Sequence, residues 1–175
     1  MEPTGYPKLE ILNPVQVMDE ASKTRANDIV IFTRLLVSLV GKEKAINLIK
    51  NARWRCYYQA GTERARVLGR PEDLETFIQD YFIETNAMPP FVHQGLILEK
   101  TARKAKIRFP GCFIARAIKV HPEADEETKY VICRGYCQHD QAFSQGFNSK
   151  ITTTNLCNAI LDPDNNCDFL IEIKD

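Results

Sequence analysis

Apolar positions recur at helical spacing through the first half of the chain and at strand spacing through much of the second. From Asn27-Asp28, which offers an N-cap, Ile29, Phe32, Leu35, Leu36, Leu39 and Val40 form the stripe of an amphipathic helix. Gly41 breaks it. A second helix is expected from Lys42 into the sixties, with Ala45, Ile46, Ile49, Arg53, Cys56, Tyr57 and Ala60 on one side. Gly69-Arg70-Pro71 marks a stop and a restart, because proline suits the first turn of a helix. Leu74, Phe77, Ile78, Tyr81 and Phe82 form the inner face of a third helix, ended by Asn86 to Pro90. Residues 1 to 22 carry three prolines and little periodicity. They predict a loosely attached arm ahead of a single domain over 23–175.

The second half changes period. Leu96 to Thr101 and Lys104 to Phe109 read as extended, and Ala105, Ile107 and Phe109 alternate with Lys104, Lys106 and Arg108 as in a half-buried strand. The chain turns at Pro110-Gly111-Cys112. An acidic helix start at Pro122 to Glu127 suits the positive end of the helix dipole. From there Ile132, Cys133, Tyr136, Cys137, Asp140, Phe143 and Phe147 predict one helix reaching Gly146. Ile151 to Leu161 and Cys167 to Lys174 flank the turn-rich Asp162-Pro163-Asp164-Asn165-Asn166, which predicts a β-hairpin. Its second strand would put Cys167, Phe169, Ile171 and Ile173 inside. The pattern is that of an α+β fold, a helical layer packed on a mostly antiparallel sheet with a C-terminal β-hairpin.

Composition narrows the function. The 175 residues carry 23 basic and 23 acidic side chains, so no global field draws nucleic acid or an anionic membrane. The most apolar stretch, Ile29 to Val40, is interrupted by Thr33, Arg34 and Ser38 and falls short of the roughly 20 residues a bilayer needs. Met1 to Pro7 has neither the basic nor the apolar region of a secretory signal. A cytoplasmic protein is expected, its six cysteines present as thiols. There is no Gly-rich phosphate loop, no G-x-S-x-G and no H-E-x-x-H, so neither nucleotide chemistry nor a cofactor is expected. A small-molecule substrate remains, and aromatic-rich helices leave a homodimer open.

Candidate chemistry is densest at Cys133-Arg134-Gly135-Tyr136-Cys137-Gln138-His139-Asp140. On a helix Cys133, Cys137 and Asp140 share one face, and Cys167 can join them from the hairpin. A thiol beside a carboxylate and an imidazole has the parts for nucleophilic or acid–base work. The competing reading is core packing, since unpaired cysteine behaves as a small apolar filler. It is favoured for Cys133 and Cys157. For Cys137 the two readings balance, because a buried carboxylate on the same stripe is costly. A zinc site from Cys133, Cys137 and His139 lacks a second ligand pair. His93 and His121 read as loop histidines, and Lys100, Arg103, Lys104, Lys106 and Arg108 as mostly a solvated strand face. Among Arg53, Arg55, Arg64 and Arg66, beside Trp54, Tyr57 and Tyr58, helix-surface charge near Glu63 competes with the clamping of a substrate carboxylate, for which Arg53 is the candidate.

The run Tyr136 to Phe143, then Gly146-Phe147-Asn148, a Thr-rich strand and Cys167-Asp168-Phe169 resemble the L-2-amino-thiazoline-4-carboxylic acid hydrolase family. The family pattern is a C-x-x-D helix, a G-F-N-P-like exit and a hairpin ending in C-D-F. The resemblance spans residues 28–172, with Gly61, Glu63, Ala65 and the Leu74 to Phe82 helix similar in layout. Ser149 replaces the expected proline, and Asp162 to Asn166 replaces a Gly-containing turn. The resemblance implies a hydrolase of non-peptide C–N bonds in a cyclic amidine, opening a thiazoline to an N-carbamoyl cysteine. Either a Cys137 thiolate or a water activated by Asp140 would attack the ring carbon, and Cys167 or His139 would protonate the leaving group. Asp140 is the favoured base, since a neighbouring carboxylate raises a thiol's pKa. Arg53, Tyr136, Phe143, Thr154 and Phe169 are the candidate substrate contacts. Two other classes stand beside it. One is a non-catalytic module binding an apolar or aromatic ligand through Phe143, Phe147 and Phe169, the other a Cys-ligated metal protein.

Overall fold

The structure, a computed structural model, describes residues 14–85 and 95–174. Its first element is longer than the apolar pattern implies. Helix α1 spans Pro14–Val40, so residues 14–22 of the expected arm are helical and Asn27-Asp28 lies mid-helix rather than at a cap. Proline fits the first helical position, and Lys23 pairs with Asp19 and Glu20 at 2.8 Å on the exposed side. The inner face is built from small side chains, Ser22, Ala26, Val30 and Thr33. Phe32, Leu35 and Leu39 point outward, 63%, 52% and 71% exposed. Ile29, Leu36 and Val40 of the expected stripe are half-buried against the core, so the stripe is right in part, and the small residues that complete the packed face carry little hydropathy signal. The remaining arm residues and His93 lie outside the described residues, as does the expected helix end at 86–90.

Gly41, at φ +79°, turns the chain into α2 (Lys42–Val67). Ala45, Ile49, Gly61 and Ala65 are its buried residues, while Cys56 is exposed. Asp73 caps α3 (Leu74–Phe77) by accepting from the Thr76 amide at 2.7 Å. The helix then widens into a π-helical stretch, Ile78–Thr85, that buries Asp80, Tyr81 and Phe82 in succession. Asp80 is held by a bidentate contact from Arg64 on α2.

Strands β1 (Leu96–Lys100), β2 (Lys104–Pro110), β3 (Ile151–Cys157) and β4 (Asn166–Ile173) form one antiparallel sheet in the order β1-β2-β4-β3, the last pair being the C-terminal hairpin. The expected α+β architecture is present. Ala105, Ile107, Phe109, Phe169 and Ile171 face the helices. On the outer face Arg108 grips Asp168 through two bonds of 2.8 and 2.7 Å, so the carboxylate of Cys167-Asp168-Phe169 fastens the sheet. Strand β3 ends at Cys157 rather than Leu161, because the Asn158 side chain accepts from the Ile160 amide and starts the turn. Between β2 and the next helix the chain forms a short α4 (Phe113–Lys119) that the turn signal at Pro110-Gly111 concealed.

The expected single helix to Gly146 is broken. Helix α5 (Glu126–Gly135) ends in a 3₁₀ turn over Tyr136–Gln138, where Cys137 is non-helical (φ −88°, ψ 15°), and α6 (His139–Phe147) starts afresh. Its placement is set by α2. A Cβ on Gly61 would lie 2.1 Å from the Phe143 carbonyl oxygen, and one on Gly146 2.1 Å from the Tyr58 carbonyl oxygen. The two helices therefore meet backbone to backbone. Aromatic rings from both sides of that crossing and from the sheet fill the core, Phe77, Phe82, Phe109, Phe143, Phe147 and Phe169. Among the described residues no helix is long and apolar enough to cross a membrane.

On an exposed helix Gly→Ala stabilises by about 1 kcal/mol. Overpacking this crossing reverses the sign, and Gly61→Ala or Gly146→Ala is expected to lower the unfolding free energy by about 1–3 kcal/mol or more. Urea denaturation measures it, and a stabilised variant would contradict the contact.

Candidate active site

Between the helical layer and the inner face of β2, β3 and β4 lies a cavity of about 280 Å³. One wall is aromatic, with Tyr81, Phe109, Phe143 and Phe169, and another is aliphatic, with Ile29, Ile114, Ile118, Ile132 and Ile160. Tyr81 and Phe143 stack with ring centres 4.0 Å apart. Helix α6 begins at this cavity, which places His139 and Asp140 in its first turn.

The polar groups converge there. The His139 Nδ1 lies 2.8 Å from the Tyr136 carbonyl oxygen. The same Nδ1 lies 3.2 Å from Arg53 Nη2, which only donates, whereas a carbonyl only accepts; the carbonyl contact is the shorter, and on it we assign the hydrogen to Nδ1 and a lone pair to Nε2. Nε2 stands 3.8 Å from Asp140 Oδ1. Burial, with the Arg53 and Arg25 charges, outweighs Asp140 and holds the imidazole pKa below its ordinary value. His139 is therefore neutral at pH 7. The buried Tyr81 hydroxyl donates to Asp140 at 2.9 Å, and its own pKa is driven well up by burial and that carboxylate. Arg53 donates from Nε to the Tyr136 carbonyl at 2.9 Å and from Nη2 to the Tyr57 hydroxyl at 3.1 Å. Its guanidinium lies over the Tyr57 and Tyr136 rings, 4.8 and 5.4 Å from their centres. It makes no ion pair among the described residues, so a cation fixed by Tyr57 and Tyr136 remains open to an anion. Among the described residues the amide nitrogens of Asn155 and Asn158 are buried in the cavity wall without an oxygen or nitrogen acceptor, the Asn158 amide facing the Cys137 thiol. Because the Asn158 oxygen already accepts from Ile160, its NH₂ orientation is set.

Three thiols from three elements also reach this cavity: Cys112 ahead of α4, Cys137 in the 3₁₀ turn and Cys167 on β4. Cys167 Sγ accepts the Ala159 amide at 3.2 Å. Burial pushes the Cys137 thiol up to about 12, against the opposing influence of Asn158, and raises Cys112 and Cys167 as well. All three are protonated at neutral pH. A thiolate at Cys137 is thus opposed by its surroundings, which leaves the neutral imidazole as the base.

Of the residues singled out from the sequence, Arg53, Tyr136, Cys137, His139, Asp140, Phe143, Cys167 and Phe169 share this one cavity. Thr154 does not. Alternation on β3 turns it to the exposed outer face and brings Asn155 inward instead. Cys133 is buried away from the cavity lining, because the helix break after Gly135 separates it from Cys137 and Asp140. Among the described residues no three His, Cys, Asp or Glu side chains are placed to hold a metal ion, so the Cys133, Cys137, His139 set does not form. Arg64 and Arg66 are engaged by Asp80 and Glu63, and His121 contacts Asn27 at 3.2 Å. No family model, curated protein or solved structure matches the chain. Tyr81, Asn155, Asn158 and Cys112 joined the site only through the fold. Cys112 alone had a sequence signal, a cysteine following a Pro-Gly turn.

Alkylation by iodoacetamide at pH 8, mapped by peptide mass spectrometry, is expected to modify exposed Cys56 at least about tenfold faster than Cys112, Cys137 and Cys167. Equal labelling of Cys137 and Cys56 would contradict the protonated, enclosed thiols.

Proposed function

We propose that this protein is a hydrolase that opens a small cyclic amidine carboxylate of the thiazoline type to an N-carbamoyl product, acting in the cytoplasm with water as co-reactant. The observation that carries it is the convergence, in one mainly apolar cavity, of an imidazole beside a carboxylate, a guanidinium without an ion-pair partner among the described residues and two amide donors without oxygen or nitrogen acceptors there. The chain's resemblance to the L-2-amino-thiazoline-4-carboxylic acid hydrolase family supports the same reading, since its C-x-x-D and C-D-F runs supply Cys137, Asp140, Cys167 and Phe169 to this cavity.

In this mechanism the substrate carboxylate pairs with Arg53, and the flat ring packs on the aromatic wall. His139 Nε2 removes a proton from water as its oxygen adds to the amidine carbon. Asp140, oriented by Tyr81, stabilises the imidazolium that forms. The hydrogen left on the added oxygen passes to the ring nitrogen as the carbonyl forms, the carbon–sulfur bond breaks, and the imidazolium proton passes to the departing sulfur. Both amidine nitrogens remain in the ureido group, so the bond cleaved is C–S rather than the C–N bond the family resemblance suggested. The Asn155 and Asn158 amides donate to the oxygen that becomes the ureido carbonyl. The protonated thiols shape the wall and do not attack.

Three substitutions test these roles with 2-amino-thiazoline-4-carboxylate. His139→Gln and Asp140→Asn are each expected to cost about 100-fold or more in kcat/KM, whereas Cys137→Ser keeps activity within about tenfold. Full turnover by both His139→Gln and Asp140→Asn would remove the assignment. No turnover by the wild-type protein, with tight binding of the same compound, would replace it with a binding module.

The pH dependence follows from His139. Its pKa is lowered in the folded protein, so the active neutral form survives below the free histidine value of about 6.5. The acidic limb of kcat/KM is expected to have its midpoint below pH 6.5, with activity rising as pH increases. Between that midpoint and about 6.5 the unfolded chain binds more protons, so stability also rises with pH. A limb centred above 6.5 would contradict a buried neutral base.

A further inference from the structure

The cavity is larger than the catalytic reading needs. Benzene fills an engineered apolar cavity of about 150 Å³, which scales the 280 Å³ here to roughly eleven non-hydrogen atoms. An unsubstituted amino-thiazoline carboxylate has nine. The remaining space is also chemically distinct from the polar end. Ile29 of α1, Ile114, Ala115 and Ile118 of α4, Ile132 of α5 and Ile160 of the hairpin turn converge on the cavity, and all belong to one apolar cluster. Four of these, Ala115, Ile118, Ile132 and Ile160, are 4% exposed or less. A wall this aliphatic offers a carboxylate, amidine or hydroxyl nothing to bond with, and favours alkyl surface.

We infer that this aliphatic wall is a substrate subsite, and that the preferred substrate is a ring carboxylate of the proposed class bearing a short alkyl substituent of about one to three carbons. The inference rests on the proposed hydrolase reading for the ring and carboxylate, and adds the substituent. Arg53 fixes the anionic end, the aromatic wall holds the ring, and the alkyl group lies among the isoleucines. Specificity then arises on α4, away from the residues that move protons.

Binding and turnover separate the two claims. The probes are 2-aminothiazole-4-carboxylate, whose aromatic ring resists opening, and its 5-propyl and N2-propyl derivatives, titrated by calorimetry. Each buried methylene is worth roughly fourfold in affinity, so at least one propyl compound is expected to bind the wild-type protein tenfold or more tightly than the parent. Ala115→Phe, which fills the subsite, is expected to abolish that gain and leave the parent's Kd within about threefold. The wild-type ratio decides the matter should the variant fail to fold. Propyl compounds that bind no tighter than the parent, while the thiazoline is still hydrolysed, overturn the subsite and leave the hydrolase. A propyl gain without thiazoline turnover supports the subsite and overturns the hydrolase. No binding of any of the three overturns the inference.

Discussion

The backbone contact between Gly61 on α2 and Gly146 on α6 is the constraint on which the site depends. Two helices can approach this closely only where neither carries a side chain, and each glycine faces a carbonyl of the other helix. The contact fixes α6 along its far end. The helix break at Tyr136–Gln138 then sets its near end, so the first turn of α6 opens against Arg53 and Tyr57 on α2. The 3₁₀ turn itself brings His139 to the Tyr136 carbonyl, and the seat of α6 sets Asp140 against the Tyr81 hydroxyl of the π-helical stretch.

That geometry acts through a low-dielectric interior. Removing water penalises every charge in the cavity, and the protein answers each group differently. The thiols have no cationic partner strong enough to offset burial and stay protonated. The imidazole stays neutral for the same reason, with Arg53 adding to the effect. Asp140 receives a hydroxyl donor instead. Arg53 lines the cavity, where two aromatic faces and a backbone carbonyl hold its guanidinium. The result is one acceptor pair and one cation within an apolar enclosure. Such a site suits an anionic ring whose chemistry begins with proton removal from water.

Much of the fold was legible because its periods are clean. The alternation at Ala105, Ile107 and Phe109 gave strand β2 and its buried face, and Gly41 and Gly69 marked helix ends that the structure retains. The apolar stripe on α1 holds for Ile29, Leu36 and Val40 and misleads for the rest, because hydropathy weights large side chains. The face that packs is Ser22, Ala26, Val30 and Thr33, whereas Phe32 and Leu39 are solvent-facing. The site divides along similar lines. Cys137, His139 and Asp140 are neighbours in the chain, so their clustering survives even though the helix expected to carry them is broken. Tyr81, Asn155 and Asn158 come from a π-helical stretch, a strand and a turn, and no local spacing links them. Thr154 was lost to a single-residue choice of strand face, which the polar run Thr152-Thr153-Thr154-Asn155 leaves undetermined by hydropathy.

The central claim is that a neutral His139 presents a bare Nε2 to Asp140 inside the cavity. Nitrogen-15 NMR of the imidazole at pH 7, assigned with a His139→Gln control, tests it directly. The account predicts a single neutral tautomer with the proton on Nδ1, bonded to the Tyr136 carbonyl, and Nε2 unprotonated. A doubly protonated ring, or one carrying its proton on Nε2, would contradict it.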